Sequence, residues 1–270
     1  MLSCSPCYVA LVSIYKLQKH SATSGENMTP LEFRPANRPP NVDILWGMKP
    51  QEIDLILSAA RPRRFFAKTV MTHQGDSSDY FLLMWKGRGR FFYTVPTGKK
   101  LILLWIKPGE TFGVAGLSRR PCPYLASSEA VQDSVVLAWD GPTIIALGER
   151  FPQLLENVIC LTFEYVSWYI AAHSALVSES AKERLANLLV ALGPSIGEVV
   201  SDGIEIDVTN QEFADSVNIN LYTATRIVSE WQKIGAIRKH RGKIVLRAAK
   251  KLFSLFPRPK ATGQLVVRHQ

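Results

Sequence analysis

The chain of 270 residues is poor in cysteine and has no long apolar run. Its four cysteines are not spaced as a disulfide framework, which favours a cytoplasmic protein. No apolar stretch of about 18 residues occurs, so we expect no transmembrane helix. Catalytic signatures are missing as well, since the five histidines are scattered and no H-E-x-x-H, P-loop or G-x-S-x-G pattern is present. These absences argue against an enzyme and against a membrane-spanning protein.

Acidic residues are absent from the C-terminal end of the chain. From Lys233 to Gln270 there are eleven Lys and Arg residues and no Asp or Glu, in a chain of net charge +9. Such a segment favours polyanionic partners, above all nucleic acid. A solvated basic tail is the alternative, and the pattern of the preceding residues has to decide between the two.

The first 42 residues predict an irregular N-terminal extension. Residues 20–44 are rich in Pro, Asn, Ser and Thr, and Met28 is an alternative start of the native protein. Cys4 and Cys7 form a single C-x-x-C pair without a second pair, which is weak evidence for a metal site. We therefore expect neither a bound metal nor a cofactor.

Short β-type runs separated by glycines fill the region from Arg64 to Leu137. The runs are DYFLLMW, GRFFYTV, KKLILLWI and VVLAW, and they are rich in aromatic and branched residues. Their spacing predicts a β-roll or barrel. A short amphipathic helix, KPQEIDLILSAA at 49–60, precedes them.

A long helical pattern follows, roughly over 150–178. Large and small apolar residues recur in it at alternating steps of four and three, which is a heptad seam: Leu154, Val158, Leu161, Tyr165, Trp168, Ala172 and Ala175. The length of the seam favours a dimer interface, and packing of this face on the chain's own barrel is the alternative. Another helix, KERLANLLVALG at 182–193, is expected to end at Gly193-Pro194.

The stretch TNQEFADSVNINLYTATRIVSEWQKIGAI, 209–237, predicts two helices joined by a tight turn. Thr209 and Glu212 form a capping box at the first helix, and Asn220 is placed to cap the second. Ala224, Ile227, Val228 and Trp231 mark the buried face of that second helix. AIRKHRGKIVL then predicts a hairpin, a wing with Arg241-Gly242 at its tip.

Residues 43–250 resemble the Crp/Fnr family of bacterial transcription regulators. The resemblance rests on LWGMKPQEIDLI, HQGDSSDYFLLMWKGRGRFF and KPGETFGVAGL, followed by the two-helix stretch. It implies an α+β fold with a jelly-roll-like sensor domain (a double-stranded β-helix), a long dimerisation helix and a winged helix-turn-helix. The expected parts are an extension at 1–42, a cyclic-nucleotide-binding-like β-roll at 43–149, the dimerisation helix at 150–179, the DNA-binding domain at 180–252 and a basic tail at 253–270.

The resemblance also implies a sequence-specific regulator that binds double-stranded DNA as a homodimer, with RNA polymerase as a further partner. Arg226 matches an arginine that the family uses on its recognition helix, whereas Leu221 and Tyr222 replace the Arg and Glu of many members. The expected DNA-contacting residues lie on the second helix and the wing: Asn220, Leu221, Tyr222, Thr223, Thr225, Arg226, Ser229, Lys239, Arg241 and Lys243.

The sensor half departs from the family where a cyclic nucleotide is held. The glutamate position is Val114, and the arginine and serine positions are Tyr124 and Leu125, so the polar ligands of the phosphate and ribose are missing. We expect an apolar and aromatic effector pocket that does not use cyclic AMP, and its effector is not identified. The expected lining residues of this pocket are Phe112, Gly113, Val114, Gly116, Leu117, Tyr124 and Leu125.

Two alternatives stay open at this point. Arg119 and Arg120 lie near the degenerate segment and would serve a cyclic nucleotide if the loop were shifted in register. The chain would otherwise be a ligand-binding or interaction module that binds no operator. The acid-free basic segment favours the DNA-binding regulator over that module.

Overall fold

The computed structural model of the chain describes residue 39, residues 42–240 and residues 242–253. The chain divides into two compact units, and the boundary falls inside the long helix between Ile170 and Ala171. Cys4, Cys7, Met28 and Arg241 lie outside the described residues. So do the predicted extension and basic tail, except for residues 39, 42 and 253.

Two antiparallel four-stranded sheets form the first unit, in the orders β1-β8-β3-β6 and β2-β7-β4-β5. Three helices accompany them: α1 Pro50–Ser58, α2 Gly141–Arg150 and α3 Pro152–Ser178. The strands are β1 Arg61–Phe65, β2 Val70–Thr72, β3 Tyr80–Lys86, β4 Gly89–Thr94, β5 Lys100–Ile106, β6 Thr111–Phe112, β7 Ser127–Ala130 and β8 Ser134–Asp140. The predicted β-roll is confirmed.

Strand β3 separates two apolar layers, because successive side chains of a strand point to opposite faces. Phe81, Leu83 and Trp85 belong to the cluster that includes residues of the three helices, whereas Leu82 and Met84 belong to a second cluster with Phe112 and Val136. Both faces of the strand are therefore buried, which explains the uninterrupted apolar run FLLMW. Because Phe112, the last residue of β6, lies in the second cluster, the segment in which the effector pocket was expected starts from a buried position.

The long helix α3 carries two apolar stripes, and the first half of the predicted dimer seam packs on its own β-roll. Leu154, Val158 and Leu161 are 0%, 5% and 6% exposed and pack in the core cluster of their own β-roll. Tyr165 packs against the same cluster, and its hydroxyl donates to the carbonyl oxygen of Thr111 at 2.6 Å. Packing on the chain's own roll, the alternative at the sequence level, is thus correct for this part of the seam.

The exposed stripe of α3 has the same heptad spacing, displaced by one or two residues. Ile159, Phe163, Val166 and Ile170 follow one another at steps of four, three and four, and they are 55%, 68%, 49% and 59% exposed. Periodicity alone cannot tell which of two such stripes meets the roll. Within the part of the chain that the structure describes, this second stripe stays exposed.

The second unit contains a four-stranded antiparallel sheet in the order β11-β12-β10-β9. Its helix α4, Ala181–Ile196, runs past the predicted stop at Gly193-Pro194, so this predicted stop is wrong. Pro194 lies inside the last turn of the helix. The other elements are β9 Glu198–Val200, β10 Gly203–Asp207, α5 Asn210–Ser216, α6 Leu221–Lys233, β11 Ile237–His240, β12 Lys243–Leu246 and α7 Ala249–Phe253. Helices α5 and α6 and the β11–β12 hairpin confirm the predicted winged helix-turn-helix.

Candidate nucleic-acid interface and effector pocket

Local hydrogen bonds fix the starts of helices α5 and α6. The backbone N–H of Thr209 donates to the Glu212 carboxylate at 2.7 Å, and the Glu212 N–H donates to the Thr209 hydroxyl at 3.2 Å. At α6, the side-chain oxygen of Asn220 accepts from the N–H of Thr223 at 2.7 Å. Asn218, at φ +53°, makes the sharp bend between the helices. The predicted capping box and N-cap are both confirmed.

Helix α6 has one buried face and one exposed face. Ala224, Ile227, Val228 and Trp231 are at most 2% exposed, as the sequence predicts. On the opposite face Leu221 is 46% exposed and Tyr222 is 79% exposed. The remaining predicted contact residues of this face are also exposed: Thr225, Arg226 and Ser229. Packing on one side thus leaves a full helical face available to a partner.

An ion-pair chain crosses the C-terminal half of α6. Arg226 donates to one oxygen of the Glu230 carboxylate at 2.7 Å, and Lys182 of α4 donates to the other at 2.7 Å. The hydrogen bond from Lys182 is the largest cause that lowers the pKa of Glu230, and Arg226 contributes further. Glu230 therefore stays charged at neutral pH and holds Arg226 along the helix, although the Arg226 side chain is 58% exposed.

The hydroxyl groups of Thr225 and Ser229 on the exposed face also have partners within the protein. The side-chain N–H of Asn210 donates to the Thr225 hydroxyl oxygen at 3.0 Å. Ser229 donates its hydroxyl to the carbonyl oxygen of Thr225 at 2.8 Å. Thr223, whose N–H is used by the cap, is half-buried. Asn210 and Lys182 are site residues that the sequence reasoning missed.

Acidic residues of the β9–β10 hairpin neutralise much of the wing. Lys243 donates to the Glu205 carboxylate at 2.6 Å, which raises the pKa of Lys243 and lowers that of Glu205. Arg238 binds both oxygens of Asp202 at 2.9 and 2.8 Å and lowers the pKa of that carboxyl. The two predicted wing contacts within the described residues, Lys239 and Lys243, are both exposed. The absence of acidic residues after position 233 therefore overstates the positive charge of this surface.

Tyr124 is the residue that the sequence predicts at the position of the family's phosphate-binding arginine. The Tyr124 hydroxyl donates to the carbonyl oxygen of Tyr80 at 3.2 Å and accepts from the Tyr80 N–H at 3.3 Å. Burial raises the pKa of Tyr124, so the hydroxyl is neutral. Its ring lies beside Gly113, which has φ +74° and where a Cβ atom would stand 2.5 Å from the Tyr80 carbonyl oxygen. The segment thus lies against β3 and presents no cation there.

The predicted pocket residues do not gather around one apolar cavity. Phe112 packs between the two sheets, with its ring centre 5.9 Å from that of Phe91. Val114 and Leu117 pack instead against the cluster on the helical side of β3. Leu125 is 84% exposed, so its assignment to the pocket lining is wrong. The structure brings only Gly113, Gly116 and Tyr124 together, around the backbone of Tyr80.

Arg119 and Arg120 lie beside an open cavity of about 440 Å³. Arg119 forms an ion pair with Glu149 of α2, and both arginines are exposed. Asp79 and Asp140 line the same cavity, and their negative charges oppose an anionic ligand. The cavity is therefore a poor substitute for the missing phosphate ligands.

Among the residues that the structure describes, no helix is long and apolar enough to cross a membrane. In the same ranges, no group of three or more His, Cys, Asp or Glu side chains is placed to hold a metal ion.

Two family models match the chain. Residues 62–151 match the cyclic nucleotide-binding domain, and residues 183–255 match the Crp-like helix-turn-helix domain. The chain is similar to the cyclic AMP receptor protein of Thermus thermophilus, with 27% identity over 207 residues that cover 76% of this chain and 93% of that protein.

Solved structures share the fold. One is the c-di-GMP responsive global regulator CLP of Xanthomonas campestris, at a TM-score of 0.66 and 18% identity, with 73% of this chain and 99% of that one covered. Another is FixK2 of Bradyrhizobium japonicum, at a TM-score of 0.65 and 18% identity, with 74% and 98% covered.

Proposed function

Since the chain belongs to the Crp/Fnr family of transcriptional regulators, and hence is not an enzyme, we propose that it binds specific sites in double-stranded DNA as a homodimer. The observation that carries this proposal is the exposed face of α6, held outward by a fully packed opposite face. The helix has 13 residues and a length of about 20 Å. The major groove of B-DNA admits such a helix, and side chains at its N-terminal end then reach the base edges.

Arg226 is the residue best suited to a hydrogen-bonded base contact. Its guanidinium can donate two parallel hydrogen bonds to guanine, or one to a phosphate. The contact with Glu230 engages one guanidinium nitrogen and aligns the side chain along the helix before DNA arrives. Thr223, Thr225 and Ser229 then lie within the same docking face. Asn220 serves mainly as the helix cap, because its side-chain oxygen is already used.

The wing supplies backbone contacts that set register and carry no sequence information. Lys239, which is exposed, and Arg241 are assigned to phosphates. Lys243 has to exchange Glu205 for a phosphate, since the two form an ion pair in the free protein. Because this ion pair has to break, a phosphate contact by Lys243 adds less free energy of binding. The salt dependence of binding should therefore correspond to fewer phosphate contacts than the number of basic residues in the wing.

The exposed stripe of α3 is assigned to the homodimer. Ile159, Phe163, Val166 and Ile170 have the heptad spacing of a two-helix seam and large apolar side chains. A twofold dimer places two copies of α6 in successive major grooves, about 34–36 Å apart. The target site is therefore a pair of inverted half-sites.

The sensor half is assigned a role that does not depend on cyclic AMP. Tyr124, which the resemblance aligns with the family's phosphate-binding arginine, carries no positive charge for a phosphate, and Leu125 is exposed to solvent. Binding to DNA is thus expected without an added cyclic nucleotide. The effector remains a small molecule of another kind or is absent, and contact with RNA polymerase is proposed for the DNA-bound dimer.

Selection from random duplex DNA with the purified full chain tests the proposal. We expect enrichment of an inverted repeat, and Arg226→Ala should weaken binding to it by about 1–3 kcal/mol. Arg64→Ala is the matched control, because it removes the same charge from an exposed position of β1. Failure to enrich any sequence would contradict the proposal and leave the chain as an interaction module. Equal loss in both variants would remove Arg226 from the interface.

A further inference from the structure

The first turn of α6 presents apolar surface where base-reading side chains are expected. Leu221 and Tyr222 are 46% and 79% exposed, and neither belongs to the core. They occupy the first two positions of the helix, next to the N-cap Asn220. The N-terminal residues of a docked recognition helix are those that reach base edges. An apolar pair at this place therefore has a specific consequence for what the helix can read.

Few hydrogen-bonding readers are available beside this pair. Guanine is read by Arg or Lys, adenine by Asn or Gln, and cytosine by Asp or Glu, whereas Ser and Thr hydroxyls do not select one base. Over 221–229 the sequence is LYTATRIVS, in which Arg226 alone belongs to these types. Asn220 uses its oxygen for the N–H of Thr223, and the next acidic residue, Glu230, is held by Arg226 and Lys182.

Thymine differs from the other bases by a C5-methyl group in the major groove, and apolar side chains recognise it by contact. On the premise of the proposed function, that α6 enters the major groove, we propose that Leu221 and Tyr222 read thymine methyl groups. Each half-site then carries thymine, on either strand, at the base pairs that face the first turn of α6. Arg226, one turn further along the helix, reads a separate position.

The inference predicts a loss that is specific to the methyl group. Replacement of thymine by uracil removes this methyl and keeps base pairing and the hydrogen-bonding pattern. The transfer free energy of one buried methylene-sized group corresponds to about a fourfold change in affinity. Replacement in both half-sites of a twofold dimer should therefore weaken binding about fifteenfold.

The experiment uses the full chain and the site obtained by selection. Thymines are replaced by uracil one symmetric pair at a time, and fluorescence anisotropy gives the dissociation constant for each duplex. We expect the loss at the pairs that face α6 and no change at the pairs outside the half-sites. Tyr222→Ala should bind more weakly than wild type and should no longer distinguish thymine from uracil at its position. Tyr222→Phe should keep the distinction, since its ring keeps the apolar contact.

Three results would overturn the inference, and they are distinguishable from failure of the proposed function. The first is a selected site that binds tightly but is unaffected by uracil at every position. The second is a Tyr222→Ala variant that distinguishes thymine from uracil as wild type does. The third is a Tyr222→Phe variant as weak as Tyr222→Ala, which would assign the hydroxyl to a phosphate contact. Absence of any selected site would instead overturn the proposed function, and this inference with it. Because Tyr222 is 79% exposed, its substitutions leave the core intact, and Phe66→Ala, at a 76% exposed position of the sensor unit, is the control.

Discussion

Substitution of Phe163 by alanine should separate the two stripes of α3. Phe163 is 68% exposed in the single chain, and a phenylalanine side chain has about 200 Å² of surface. About 135 Å² is therefore available for burial against a partner, which corresponds to about 3 kcal/mol at 25 cal/mol per Å². A symmetric dimer contains two copies of Phe163, so the free energies lost at both copies add. Incomplete burial of the ring, and the methyl group that alanine retains, make the total loss smaller than twice this value. We expect dimerisation to weaken by about 3–5 kcal/mol, or between a hundredfold and several thousandfold.

Sedimentation equilibrium over a range of protein concentrations measures this change directly. Phe66→Ala is the matched control, because Phe66 is 76% exposed but lies outside the helix, and it should dimerise as wild type does. Leu161→Ala tests the other stripe: it should lower the free energy of unfolding by about 2–5 kcal/mol, since Leu161 is 6% exposed in the core. A Phe163→Ala protein that dimerises like wild type would refute the assignment of the exposed stripe.

Two further predictions concern the sensor half. Burial is the main cause that raises the pKa of Glu110 to about 7, with Lys107 opposing the shift and Asp43 adding to it. The folded chain then holds a proton that the unfolded chain has lost, so stability should fall by about 2–3 kcal/mol as pH rises from about 4.5 to 7. Urea unfolding at pH 5 and pH 8 should show that Glu110→Gln loses less of its free energy of unfolding between these pH values than wild type does. An equal loss in both proteins would contradict the burial of Glu110 as the cause. In calorimetry, cyclic AMP and cyclic GMP should release no binding heat at micromolar concentrations, whereas micromolar binding of either would show that Tyr124 does not exclude the phosphate.

The helix-turn-helix was predictable from the sequence because its determinants are local. Thr209 and Glu212 lie three residues apart, and Asn220 precedes the helix that it caps, so each signal is contained within one turn. The buried face of α6 follows from its period of 3.6 residues. The i,i+4 pair of Arg226 and Glu230 is also readable from spacing alone.

The errors concern contacts between segments distant in sequence. Leu161 and Phe163 belong to stripes of equal periodicity, and only the position of the β-roll decides which stripe is covered. Tyr124 and Leu125 are adjacent in a loop, and only the contact of that loop with β3 decides that Tyr124 is covered while Leu125 faces solvent. The pairing of Glu205 with Lys243 depends on the register of β10 and β12, and β-sheet register is not encoded within either strand.

Footprinting of the selected duplex by hydroxyl radicals, combined with the mass of the complex from light scattering, tests the central claim most directly. The account predicts two chains per duplex and two protected half-sites about 34–36 Å apart, with no added cyclic nucleotide. It also predicts methylation interference at guanine N7 in the major groove opposite Arg226. One chain per duplex, or no interference from methylation of guanine N7 in the half-sites, would contradict it.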